Sequence, residues 1–445
     1  MYSKYFHFKS HTLKPWLWGC FIALLLQMYL NTGTLSGYAA TMTRPTVYGG
    51  YYVNYDWPQY VANYKFIKGA DHTEWEKGVV LRRQLMYVVG YPFFLVSGFF
   101  IGSMLTILAS IFFALFFFFR FIEKEFGEVA AKVSMVLLCT YTGIMYWIGS
   151  PFVQNMIVPL CLGVYALMYK MQKGTFKENI IYLFLIGILF TGYDLLPLLG
   201  PGVMLFVFFN KNFPFRKRIG LIAIAGVAFI IPPLLIHFWL IARGANLNLG
   251  NDDTYKIIIN AYLNIFNQIP TWWMRVKLVP ETLFNCFFYS NFFALPILFL
   301  ACWIPGRWIL KFKLNLIECS LLVSILILFL FNNMAPPYQG EWQMWGDWIA
   351  RIYQAVFIVF LMYIVRFSAF VFESKRYTWA FSILLFLTVI FNLVVNTGGL
   401  YASPLSSFIY GNFYSHGALN RYTLNIKYYG ARPLGFPEHY ETETK

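Results

Sequence analysis

A chain of 445 residues that is 59% hydrophobic and only 12% charged carries about half the charge of a soluble globular domain. With a mean hydropathy of +0.58, this balance excludes an ordinary water-soluble enzyme and predicts a polytopic membrane protein. The net charge of +15 does not indicate nucleic acid, because the basic residues fall in short clusters between apolar runs rather than along one face.

The six cysteines and six histidines narrow the chemistry further. Cys20, Cys139, Cys161, Cys302 and Cys319 lie within or beside apolar segments, and Cys286 lies near the end of a polar one. There is no CxxC spacing and no metal-ligand spacing of histidines, so neither a disulfide framework nor a zinc site is expected. P-loop, GxGxxG and HExxH patterns are absent, which leaves nucleotide-driven transport and zinc hydrolysis without support.

In chain order, residues 1–15 hold Lys4, Lys9 and Lys14 and no acid, as a cytoplasmic N-terminus would. Residues 16–35 then run apolar and read as a retained first helix rather than a cleaved signal peptide. The first long polar stretch, 36–83, is the expected first outer loop. Its centre is Asn54-Tyr55-Asp56-Trp57-Pro58-Gln59-Tyr60, and it ends on Arg82 and Arg83.

Residues 84–120 are too long for one crossing of about 20 residues. They make either two helices turning at Gly98 or Gly102, or an interfacial segment leading into one span. Pro92 and Tyr91 favour the second, since the residue before proline avoids the helical region and tyrosine collects at interfaces.

Spans follow at about 133–148 and 152–169, then a pair of short helices over 180–209 hinged at Gly192-Tyr193-Asp194. The next span is at about 219–241. A second long polar stretch, 242–290, precedes spans at about 291–306, 315–331, 349–366 and 378–395. A Tyr- and Gly-rich tail closes the chain from 396 to 445. The expected fold class is thus an all-α integral membrane bundle of about 11 helices, spanning 16–395, with no large soluble domain.

Charge sets its orientation. With the N-terminus inside, 19 of the 34 Lys and Arg fall in six short inner segments, as the positive-inside rule requires. Asp56, Asp194, the 242–290 stretch and Arg351 then share the outer face.

Several residues there carry candidate chemistry. Asp56, between Tyr55 and Trp57, is able to act as a general base toward a hydroxyl or to hold a divalent cation. Tyr60 and its aromatic neighbours suit sugar faces, although tyrosine and tryptophan crowd any membrane interface. Asp194 interrupts an apolar hairpin, where ionisable residues are costly and often functional. Arg351, at the edge of a late span, suits a lipid-linked phosphate, as do Arg82 and Arg83. Asp252-Asp253 reads better as a helix cap than as a metal pair.

The order of these parts resembles the C-type (GT-C) glycosyltransferase superfamily, including its protein mannosyltransferase and aminoarabinose transferase members. The resemblance rests on an early loop aspartate, an Arg before Gly90-Tyr91-Pro92, and the stretches Gly127-Glu128-Val129-Ala130-Ala131 and Tyr146-Trp147-Ile148-Gly149-Ser150-Pro151. The hinge Thr191-Gly192-Tyr193-Asp194 and the entry Ala350-Arg351-Ile352-Tyr353 complete it. It implies sugar transfer with inversion from a polyprenyl-phosphate donor to a lipid-linked or other envelope glycan. It also implies that Asp56 is the first-loop catalytic residue and Arg351 a donor-phosphate contact. Asp56 is followed by Trp57 rather than by a second acid, and the chain has no large C-terminal domain.

An O-antigen-type polymerase would instead lean on Arg243, Arg275 and Lys277. A transporter or flippase would place its ionisable residues midway through spans and show a repeat; no repeat is visible. The absence of any Asn-x-Ser/Thr sequon fits a bacterial cytoplasmic membrane.

Overall fold

Every described element is helical, which is how a chain this apolar satisfies its backbone polar groups without water. The computed structural model describes residues 15–31, 84–141, 144, 156–193, 196–242, 294–334 and 354–397. Its helices are α1 (Pro15–Asn31), α2 (Gln84–Phe126), α3 (Glu128–Thr140), α4 (Ile157–Lys173) and α5 (Phe176–Phe190). They continue with α6 (Gly200–Phe209), α7 (Phe215–Ala242), α8 (Ala294–Trp308), α9 (Leu316–Met334), α10 (Gln354–Ser374) and α11 (Thr378–Thr397). No strand occurs among the described residues.

Among the described residues three stretches are long and apolar enough to cross a membrane, Leu105–Phe126, Phe215–Ile236 and Phe357–Ser374, with shorter apolar helices around them. Large side chains such as Ile22, Phe117, Ile230, Phe238, Leu300 and Phe386 remain exposed on the outside of the bundle. So much exposed apolar surface is what a lipid-facing belt requires and far exceeds the patches of soluble monomers.

The centre of the bundle is α10. Its residues from Phe357 to Val365 are all buried, and a helix apolar all round belongs in a core. It packs against α3, α4, α8, α9 and α11. Phe357 meets Tyr141, the residue that caps the end of α3, at 5.6 Å between ring centroids. Phe360 stacks on Phe299 of α8 at 4.3 Å, and Phe367 meets Phe381 of α11 at 6.0 Å. By contrast α7 lies at the rim, packed chiefly on α5 and α6.

Close crossings rely on small residues, as in membrane bundles generally. A Cβ at Gly187 of α5 would lie 2.0 Å from the Ala228 carbonyl oxygen of α7. Where α6 meets α9, the Gly202 N–H donates to Ser324 Oγ at 2.6 Å, and that hydroxyl donates to the Leu199 carbonyl at 3.1 Å.

The 84–120 stretch follows the two-helix reading, not the interfacial segment that Pro92 suggests. The helix runs straight through Pro92 and breaks at Gly98, whose φ of 75° and ψ of −179° suit glycine alone. Beyond it the chain doubles back. A Cβ at Gly90 would meet Thr106 Oγ1 at 2.4 Å, and one at Gly102 would meet Phe94 Cα at 2.8 Å. Proline is tolerated because a helix remains the best-satisfied backbone in apolar surroundings. The exposed face of the first arm (Val88, Val89, Phe93, Val96) is apolar throughout.

The expected 180–209 pair is present. α5 ends at Phe190, a turn covers Thr191–Tyr193, and a 3-10 turn at Leu196–Leu199 leads into α6. In front of α5, Thr175 and Glu178 form a capping box.

The basic turns gather at one end of the bundle, stitched by side-chain contacts. Lys132 of α3 sits over the Trp16 ring of α1 at 6.0 Å, and Trp16 meets Phe119 of α2 at 5.2 Å. Tyr169 of α4 touches both Phe121 and Phe126 at 5.3 Å. Lys173 pairs with Glu125, and Asn212 donates to the Gln172 carbonyl. Phe176 meets Phe213 at 6.3 Å. The clustering that the charge pattern predicts is therefore a property of the fold.

Candidate functional site

The other end of the bundle is where the long polar segments leave. Gln27 of α1 donates to the Cys139 carbonyl near the end of α3 at 2.9 Å, which brings the chain into segment 32–83 beside α3. The end of α3, the starts of α4 and α8 and the start of α10 enclose a narrow apolar cavity. Leu138, Tyr141, Val158, Cys161, Leu295 and Phe357 line it. From this same end depart 145–155, 243–293 and 335–353. The described residues at this end thus provide an apolar floor.

Asp56, Tyr60, Arg82, Arg83, Asp194 and Arg351 all lie outside the described residues, as do Asp252, Asp253, Arg243, Arg275 and Lys277. The flanking positions are placed. Arg83 directly precedes α2. Asp194 follows Tyr193, which is buried and whose carbonyl accepts from the Leu196 N–H at 3.1 Å. Arg351 stands three residues before α10 and six before Phe357, the residue at the cavity. Among the described residues no three His, Cys, Asp or Glu are grouped to hold a metal ion, so any divalent cation would depend on the polar segments.

The bundle also holds a polar constellation that the sequence reading does not single out. At the basic end, Glu318 in the first turn of α9 is fully buried. Arg366 of α10 grips it with both ends of its guanidinium, Nε to Oε1 at 2.7 Å and Nη2 to Oε2 at 2.8 Å. The same Nη2 donates to the Lys313 carbonyl at 2.9 Å, and the guanidinium lies 5.0 Å over the Phe312 ring. Asn315 caps α9 reciprocally with Glu318 and donates to Tyr165 of α4 at 3.2 Å.

Three helices are thereby locked at one point. A bidentate pair with its remaining lone pairs occupied is the arrangement in which a buried charge is tolerated. The local half of this was legible as Asn315-x-x-Glu318, a variant of the capping signature. The long-range half, 48 residues away, was not.

In the turn before α5, the backbone N–H and then the hydroxyl of Thr175 hold the Glu178 carboxyl below its ordinary range. Across the same turn, the hydrogen bond to Glu125 raises the Lys173 ammonium above its usual value. Both tie the basic end together without forming a site for a ligand.

Comparison with protein-family models, with curated proteins and with solved structures finds no match to this chain.

Proposed function

We propose that the chain is a multi-pass membrane glycosyltransferase of GT-C type, with a bundle of about 11 spans. It would move a sugar from a polyprenyl-phosphate donor to a lipid-linked or other envelope glycan. One observation carries the reading. The flanks of segments 32–83 and 335–353, which hold Asp56 and Arg351, leave the end of the bundle opposite to its basic turns. By the positive-inside rule that end faces outward, which for a bacterial chain is the outer face of the cytoplasmic membrane.

In this reading the acceptor hydroxyl attacks the anomeric carbon and Asp56 takes its proton. The bond from that carbon to the phosphate oxygen breaks, the configuration inverts, and polyprenyl phosphate leaves. Arg351 balances the phosphate charge by bidentate hydrogen bonding, with Arg82 and Arg83 as further contacts. Tyr60 packs on a sugar face, and Asp194 borders the same opening. A divalent cation held by Asp56 would serve the phosphate instead.

The test is transfer of a labelled lipid-linked sugar pool in membranes holding equal amounts of wild type and Asp56→Asn. Asp56→Asn keeps the shape of the side chain but cannot take a proton, so general-base loss of roughly 100-fold or more is expected. Arg351→Ala should chiefly weaken donor binding. Full activity of Asp56→Asn would remove it as the base and turn attention to Arg243, Arg275 and Lys277. No product beyond that of a deletion strain would favour a transporter.

A further inference from the structure

Two neighbouring turns at the basic end bring exposed cations together with exposed tryptophans. The α8–α9 turn carries Arg307, Lys311 and Lys313, and the α10–α11 turn carries Lys375 and Arg376, all exposed. Among the described residues none of these five has an ion-pair partner, nor do Lys211, Arg216 and Lys217 at the α6–α7 turn, whereas Arg120, Lys132, Lys173 and Arg366 are each paired with a glutamate. Glu373 is the one unpaired acid on these turns. The turns are adjacent, since Phe312 of the first packs on Phe367 and Phe370 of α10 at 5.5 and 5.2 Å.

Their backbone is unusual in the same way. Lys311 and Lys375 sit at φ of 57° and 54°, in the left-handed region that favours glycine, and Tyr377 is at 57°. Beside Lys311 the Phe312 N–H closes back onto the Gly306 carbonyl at 2.7 Å, which ties the turn to the end of α8. Lysine at both positions trades backbone ease for a cation held on a rigid helix end. Trp308, Ile309, Tyr377 and Trp379 flank these cations and are all more than half exposed. Exposed tryptophans beside cations at helix ends mark the headgroup level of a bilayer.

We infer that these two turns form a binding surface for the headgroups of anionic phospholipids in the leaflet at the basic end. The cations take the phosphates, and Trp308 and Trp379 seat among the glycerol and upper acyl groups. A free phosphate would have no use for that apolar rim, so the lipid is the occupant.

The full chain in nanodiscs of phosphatidylcholine with a minor share of phosphatidylglycerol tests this, by mass spectrometry of the lipids retained after release into detergent. Wild type should retain phosphatidylglycerol preferentially. Lys311→Gly with Lys375→Gly removes two charges at positions glycine prefers, so folding is preserved. It should weaken the preference about fivefold for each charge removed. Lys211→Gln with Arg216→Gln, near the α6–α7 turn, whose sequence holds no tryptophan, should weaken it less. Equal loss in both double variants, no preference in wild type, or displacement of the lipid by millimolar inorganic phosphate would each overturn the inference.

Discussion

The two ends of the bundle are built on opposite plans. The basic end is short-turned and closed. Gly127 joins α2 to α3 as a single left-handed residue, capping residues start α5 and α9, and Glu318 with Arg366 pins three helices together. At the opposite end the described residues form an apolar floor, and the chain passes there into its long polar segments. The described ion pairs and helix caps concentrate where the chain turns tightly, and on the function proposed above the chemistry is kept apart from them. Such a division lets binding segments vary without loosening the scaffold.

Substitutions at the closed end should therefore cost stability, and Asp56→Asn at the opposite end should cost activity. Glu318→Ala is expected to be the most damaging, because it strands Arg366 without its carboxylate. Breaking one side of a buried pair costs about 3–5 kcal/mol, read as a lower unfolding midpoint in detergent. Replacing both partners by methionine should recover most of it, and failure to recover would show that Asn315 and Lys313 depend on the charge as well. Gly187→Ala should rank next at about 1–3 kcal/mol, the range for overpacking a tight contact. Its Cβ would meet backbone rather than a side chain that can move, and melting of the purified variant tests this.

Thr175→Ala should be mildest, at about 1 kcal/mol for a lost helix cap. It also carries a pH signature. The folded Glu178 carboxyl lies below its unfolded value, so its contribution is present above the ordinary glutamate range and is lost as pH falls through the lowered value. The difference in melting temperature between wild type and Thr175→Ala should shrink on acidification. A difference independent of pH would mean that Glu178 contributes nothing through its charge.

Legibility in the sequence followed the range of the interaction. The turns at 120–132, 170–178 and 211–218 were readable because charge interrupts apolar runs there, and the 191–193 hinge because Gly192 and Pro197 sit beside it. Pro92 misled: in water it argues for a break, but in apolar surroundings the helix persists through it and Gly98 supplies the break. The partner of Arg366 was unreadable because pairing across 48 residues leaves no local trace. Asp56 and Arg351 stood out as isolated polar residues in polar stretches, and the fold adds only where their flanking helices begin.

The all-round burial of α10 has a consequence for biosynthesis. The ribosome delivers this helix after α3, α4, α8 and α9, four of the described helices that line its slot. Until residues 354–374 emerge, the faces of α3, α4, α8 and α9 that will hold it have no protein to cover them. Each helix can be laid into the bilayer as it is made, yet the bundle closes only when its core arrives. A product stalled before residue 354 should therefore carry an exposed apolar seam along α3, α4, α8 and α9.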